Sequence, residues 1–184
     1  MMIDQSLLLV ILTFLIAAVG FNLWLSFRLV RTIRLLPNAK ELPPSLEVGT
    51  AIPYFSAKRI ANNETFALEE YRDYANVLVF LASKCPKCKS KLPEMAKVLD
   101  KIGPLGVSLW IITRETRKQM KKFIDDAGLM EVVLKVDEET YDFLNPQGMS
   151  PYYLFISNEN VLEAEGQIGD ENWLNFLQQI GHEA

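Results

Sequence analysis

Val77-Leu78-Val79-Phe80-Leu81-Ala82-Ser83-Lys84-Cys85-Pro86-Lys87-Cys88-Lys89 joins a continuous apolar run to the only two cysteines of the chain. A run without polar alternation fits a strand buried on both faces. Proline is tolerated in the first turn of a helix, where its missing N–H would have no partner, so a helix is predicted from Pro86 onward. Cys85 then stands at a helix N-terminus, where unpaired N–H groups and the helix dipole favour a thiolate. Two thiols at this spacing can close a small-ring disulfide, which is redox chemistry. Other uses of the motif fit less well. Tetrahedral zinc takes about four ligands, and the single histidine, His182, stands far along the chain. A structural staple of this size constrains little of the unfolded chain.

Residues 54–60 and 65–68 read as strands around a turn at Asn62-Asn63, followed by a short helical stretch over 69–74. The helix behind the cysteines is expected over 86–102, with a bend at Leu92-Pro93, because an interior proline removes a backbone bond. Residues 107–113 read as a strand. Met120, Phe123, Ile124 and Ala127 recur at i, i+3, i+4 and i+7, predicting a helix that Gly128 ends. Residues 132–136 read as a strand and 139–144 as a short helix. Beyond Pro146 and Gly148 come a strand over 152–156, a turn at Asn158-Glu159-Asn160 and a strand over 161–165. Asp170 is the expected cap of a last helix containing Trp173, Leu177 and Ile180.

The N-terminal part has a different character. Residues 6–27 carry no charge, and roughly 22 residues at about 1.5 Å each cover a hydrocarbon core of about 30 Å. Apolar residues go all the way round, unlike the stripe of a surface helix. A secretory signal has a basic lead and a small-residue cleavage site. Here the lead is Met1-Met2-Ile3-Asp4-Gln5, and Trp24 and Arg28 sit at the far end like interfacial residues. The expectation is an uncleaved anchor in a lipid bilayer. It gives three regions: an anchor over 1–34, a proline-containing linker over 35–49 and a globular domain over 50–184. With 49% hydrophobic and 23% charged residues, the composition is that of a globular protein. After Arg34 there remain 16 Lys and Arg against 22 Asp and Glu, a net charge of about −6 that argues against nucleic-acid binding. Arg28, Arg31 and Arg34 follow the span, so the positive-inside rule alone places the domain in the cytoplasm.

This order of elements, with C-x-x-C between a strand and a proline-containing helix and with Met149-Ser150-Pro151 opening a later strand, resembles the thioredoxin fold over roughly residues 48–181. The resemblance implies an α/β architecture, a central mixed sheet flanked by helices, joined to an N-terminal transmembrane helix. Within that superfamily, the N-terminal hairpin and anchor look like the membrane-tethered TlpA-like proteins. Residues 80–89, followed by Leu92-Pro93, look most like the MauD branch, the methylamine-utilisation thiol-disulfide proteins. Likeness to that branch implies an extracytoplasmic domain against the charge rule. It also implies a cysteine-containing exported client, a membrane redox partner and no cofactor or metal beyond the dithiol. It further implies that Ser150-Pro151 is a cis peptide whose backbone receives an extended substrate segment, a form of strand addition. Departures matter too. Lys84 and Val79 stand where thioredoxins usually carry Trp and a buried Asp, and Lys91 stands where cytochrome-maturation reductases often carry Glu, which argues against both of those roles.

Lys84, Lys87, Lys89 and Lys91 crowd around the dithiol. A lysine cluster is commonly just a solvated face. Beside a dithiol, however, cations at Lys84 and Lys87 favour the Cys85 thiolate and destabilise the disulfide, so the motif should lean oxidising. The candidate site is therefore Cys85 and Cys88 as the exchanging pair, with Pro86, Lys87, Ser150 and Pro151 as substrate contacts. Two rival classes are a peroxiredoxin-like peroxidase and a non-catalytic chaperone or metal carrier. The first usually has Thr or Ser three residues before its reactive cysteine, where this chain has Ala82. The second, in copper carriers of similar fold, adds a loop histidine that is absent here.

Overall fold

The computed structural model describes residues 5–35 and 43–182. Residues 1–4, and 36–42 of the expected linker, lie outside the described residues. The chain divides into two compact units, Met1–Leu42 and Pro43–Ala184.

The described residues of the first unit form one helix, α1 (Gln5–Leu35). Its stretch Leu8–Arg31 has a mean hydropathy of 2.4 and spans about 36 Å at the helical rise. Large apolar side chains such as Leu8, Val10, Phe14, Phe21 and Phe27 are exposed on all sides. The Thr13 hydroxyl bonds back to the Leu9 and Val10 carbonyls, so it adds no unsatisfied group. Arg28 lies over the Trp24 ring, which stacks on Phe21. This helix is long and apolar enough to cross a membrane, a test that a signal sequence passes equally.

The second unit is built on β1 (Ser56–Arg59), β2 (Thr65–Ala67), β3 (Ala75–Phe80), β4 (Val107–Thr113), β5 (Val133–Lys135), β6 (Tyr152–Ile156) and β7 (Leu162–Gln167), with helices α2 (Pro86–Ile102), α3 (Arg117–Phe123), α4 (Ala127–Glu131), α5 (Glu138–Leu144) and α6 (Glu171–His182). The strands form one sheet in the order β2-β1-β5-β4-β3-β6-β7. β3, β4 and β5 run parallel, while the other pairings are antiparallel. Chain entering the sheet from Gly49 is already hydrogen-bonded to Leu162.

Both sheet faces are covered, which explains the unbroken apolar runs. Val77 and Val79 of β3, Leu109 and Ile111 of β4 and Tyr153 of β6 pack beneath α2, α3, α4 and α6. Leu78, Phe80, Trp110, Ile112, Tyr152 and Leu154 point to the other side, against Leu68, Tyr141 and Leu144. The α2 stripe that meets the sheet, Cys88, Leu92, Met95 and Ile102, is buried, with the spacing of one helix face. Pro93 is exposed and α2 continues through it.

One expectation is corrected. The apolar pattern from Met120 to Ala127 does not belong to a single helix ending at Gly128. α3 stops at Ile124, which is extended (φ −103°, ψ 111°), and Asp126 caps a separate α4 by accepting the Leu129 N–H at 3.0 Å. Gly128 lies inside α4. A side-chain cap competes with helix propagation wherever Asp can reach back to the backbone, and periodicity alone does not register that.

α6 is fastened to the sheet by Asp170. Its carboxylate accepts from the Tyr153 hydroxyl and from the Trp173 N–H, each at 2.9 Å. The Trp173 indole donates to Glu94 on α2 at 2.6 Å, and Glu94 also pairs with Lys91. Gly166 is needed for this packing, because a Cβ there would run into the Asp170 carboxylate and the Tyr153 oxygen. Gly166→Ala should therefore lower the stability of the full chain in detergent by about 1–3 kcal/mol in urea unfolding. Gly103→Ala, with nothing within 4 Å of its Cβ, should stay within about 0.5 kcal/mol of the parent. Equal effects from the two would refute the packing argument.

Candidate active site

β3 ends at Phe80, and the chain turns through Ala82, whose carbonyl accepts the Cys85 N–H at 3.0 Å. Cys85 is the N-cap of α2, with extended φ −93° and ψ 112°, and Pro86 opens the first turn. The Cys85 sulfur accepts the Cys88 N–H at 3.3 Å. Both residues are free thiols. Cys85 is half-buried, while Cys88 has 0% exposure and packs in the core with Leu92 and Met95.

Their environments push the two acidities apart. Burial raises Cys85, but hydrogen bonds from the Cys88 side chain and from the Cys88 and Lys87 backbone N–H groups outweigh it, and Cys85 ends below its ordinary value. Burial pushes the Cys88 thiol up to about 11, with the Cys85 hydrogen bond adding to it. Lys87 thus acts on the sulfur through its backbone, and no lysine ammonium is among the leading causes. The lysine cluster is also partly neutralised. Lys89 pairs with Asp125 and Lys91 with Glu94, each at 3.1 Å, whereas Lys84 and Lys87 are exposed and make no ion pair among the described residues.

The second wall of the site comes from far along the chain. Antiparallel pairing of Phe80 with Tyr152 brings the start of β6 beside the end of β3. The Ser150-Pro151 bond is cis, Pro151 is buried, and the Cys85 thiol faces the Ser150 carbonyl at 3.8 Å. Cys85, Cys88, Ser150 and Pro151 are therefore one constellation.

Two supporting residues escape a reading of the sequence. Asn145, with 1% exposure, donates to the Met149 carbonyl at 2.8 Å and accepts the Met149 N–H at 2.9 Å, clamping the loop that carries Ser150. Its signal was the Asn-Pro step, a turn marker. Glu115 accepts the Ser83 N–H at 2.9 Å, and its other oxygen is buried without a partner among the described residues. Its signal was position, just beyond a parallel strand's C-terminal end, where α/β folds gather functional groups. Among the described residues, no group of three or more His, Cys, Asp or Glu is placed to hold a metal.

Two measurements check this geometry. A lowered thiol pKa enlarges the thiolate fraction at neutral pH, so iodoacetamide should label Cys85 of the reduced protein near pH 7 and leave Cys88 silent until the pH nears about 11. Mass spectrometry showing equal labelling of both would contradict it. Asn145→Ala strands the Met149 N–H and carbonyl, and should cost about 1–3 kcal/mol. It should also slow exchange with a peptide disulfide more than it slows Cys85 alkylation, and a uniform effect on both would argue against the clamp.

Comparison with known proteins places this architecture. The AhpC/TSA family model matches residues 48–163. No curated protein matches the chain. Among solved structures, the chain is similar to the thioredoxin domain of a thiol-disulfide oxidoreductase from Bacteroides vulgatus, with 14% identity over 74% of this chain and 99% of that one and a TM-score of 0.62. It is also similar to a thiol:disulfide interchange protein of the thioredoxin family from Chlorobium tepidum, with 19% identity over 75% and 98% and a TM-score of 0.60. A thiol:disulfide interchange protein from a Bacteroides species shares 15% identity over 75% and 93%, with a TM-score of 0.61. At these identities the likeness is one of fold, and it is the thioredoxin fold. With the family model covering more than half of its length, from the approach to the sheet through the start of β7, the chain belongs to the AhpC/TSA family.

Proposed function

We propose that this protein is a membrane-anchored thiol-disulfide oxidoreductase that uses Cys85 and Cys88 to exchange disulfides with an exported, cysteine-containing client. The carrying observation is the pairing of a half-exposed thiol of lowered pKa with an enclosed thiol of raised pKa, the Cys85 sulfur accepting the Cys88 backbone N–H and facing the Ser150 carbonyl. The solved relatives named as thiol:disulfide interchange proteins support the same reading, and the MauD-like sequence pattern supports an extracytoplasmic domain held by α1.

In the oxidised protein, a client thiolate attacks the Cys85 sulfur, a client–Cys85 disulfide forms, and the Cys85–Cys88 bond breaks. Cys88 leaves as a thiolate and takes a proton, as its raised pKa requires. A second client thiolate then attacks the client sulfur of the mixed disulfide and Cys85 leaves, so two electrons pass from client to protein. Cys85 is a good leaving group because its thiolate is stabilised. That favours the oxidising direction, and a membrane redox partner then removes the electrons. During the mixed-disulfide state, the backbone at Ser150 receives an extended client segment, with Pro86 and Lys87 beside it. Lys84 lines the same groove as Cys85 and adds a cation to that face.

Family membership makes the peroxidase reading the pertinent rival. Ala82 in place of a hydroxyl residue three positions before Cys85, together with a resolving thiol one helical turn away, supports exchange instead. Cys88→Ser separates the readings. The exchange reading expects reductant-sensitive covalent complexes between Cys85 and client or partner proteins in cells expressing this variant. Sulfenic acid at Cys85 after peroxide, with no such complexes, would support a peroxidase and end the exchange reading.

A further inference from the structure

The charge of the globular unit is unevenly placed. Residues 84–91 and 114–122 hold nine of the 16 Lys and Arg that follow Arg34, and only one of the 22 carboxylates, Glu115. The rest of the domain carries seven cations against 21 carboxylates. The first segment is the dithiol loop with the first turns of α2, and the second is the turn after β4 with most of α3. They are drawn together by the residue that follows the second segment: the Lys89 ammonium donates to the Phe123 carbonyl at 2.8 Å and lies 5.9 Å from the Phe123 ring.

A groove of about 500 Å³ opens at this junction, and Lys84, Cys85, Pro86, Lys89, Lys122 and Phe123 are among its lining residues. Three cations nearby are engaged, Lys89 by Asp125, Lys91 by Glu94, and Arg114 by Glu138 and Asp142, whereas Lys87, Lys118 and Lys121 make no ion pair among the described residues and lie outside the groove lining. Lys84 and Lys122 are exposed, and among the described residues no carboxylate lies within ion-pair distance of either. The groove therefore offers two uncompensated ammonium groups, an apolar floor of ring and pyrrolidine, and the reactive sulfur.

We propose that this groove binds an acidic stretch of client polypeptide next to the client's reactive cysteine. The inference rests on the exchange function proposed above and supplies the selectivity that a backbone contact at Ser150 lacks. Charge complementarity selects the occupant. An acidic segment is attracted to the one cationic face and repelled by the acidic remainder, so it arrives oriented with its cysteine at Cys85. A carboxylate beside a thiol holds that thiol protonated in solution, and Lys84 and Lys122 relieve this on docking. A lipid headgroup fits less well, because seated here it would cover the sulfur that must reach a client.

The test uses the oxidised full-length protein in neutral detergent, with three dithiol peptides of equal length whose cysteines are flanked by Asp and Glu, by Ser and Gly, or by Lys. Each turnover converts a peptide dithiol to its disulfide and Cys85–Cys88 to two thiols. The acidic peptide should react about tenfold faster than the Lys-flanked one at low salt, with the gap closing as ionic strength rises. Rates are divided by the rate with neutral 2-mercaptoethanol on the same protein, which removes any change in sulfur reactivity. The normalised preference should shrink several-fold in Lys122→Gln, shrink further in Lys122→Glu and persist in Lys101→Gln, which lies about 22 Å along α2 from Pro86. Equal rates for the three peptides, or a preference untouched by Lys122→Glu, would overturn the proposal while leaving exchange intact. Protection of Lys122 from acetylation by phosphatidylglycerol vesicles, without a peptide preference, would assign the groove to lipid and also overturn it. Failure to oxidise even 2-mercaptoethanol would remove the exchange function itself, and this inference with it.

Discussion

The site depends on one contact, the Cys88 N–H directed at the Cys85 sulfur from the first turn of α2. A helix start leaves several N–H groups without internal partners, and here a sulfur takes the place that a capping oxygen usually holds. Such a donor is useful only if it cannot turn away. α2 is held by a buried stripe, and by Glu94 and Trp173 tying it to α6, so the direction of those N–H groups is fixed by the core. Donors fixed before charge develops on the sulfur need no rearrangement when it does. Mobile ammonium groups on exposed lysines do not have that property, which agrees with hydrogen bonds leading the causes of the lowered Cys85 pKa.

Sheet register does the remaining assembly. Cys85 follows a parallel strand, whereas Ser150 precedes an antiparallel one, and the pairing of Phe80 with Tyr152 lays these two ends side by side. Glu115 arrives from the neighbouring parallel strand by the same logic, since the Phe80–Ile112 pairing puts both strand ends at one edge. Groups distant in sequence thus converge on the dithiol without any loop having to travel far.

The parts legible in the sequence were those governed by local chemistry. Residues 107–113 and 152–156 coincide with β4 and β6, and 86–102 coincides with α2, because apolar runs, an N1 proline and turn residues state these elements directly. Asp170 was recognisable as a cap for the same reason. The split between α3 and α4 was not, since apolar residues on either side of the break happen to continue one period. Asn145 and Glu115 were missed because their meaning lies in what they touch, Met149 and Ser83. The lysines were visible as a cluster, but their pairing with Asp125 and Glu94 is tertiary information.

Enclosure of Cys88 has a kinetic side. With no exposed surface, its sulfur reaches no sulfur in solution, only that of its neighbour at the helix start. In the proposed cycle, a captured client can leave in two ways: its own second thiol attacks and it departs oxidised, or Cys88 recloses on Cys85 and it departs unchanged. The second route is unimolecular, runs at a rate belonging to the domain alone, and is indifferent to how much client is present. Burial thereby sets an internal clock against which every client is timed. Clients whose second cysteine is already close would be oxidised, and those whose partner cysteine is still distant would be released to try again.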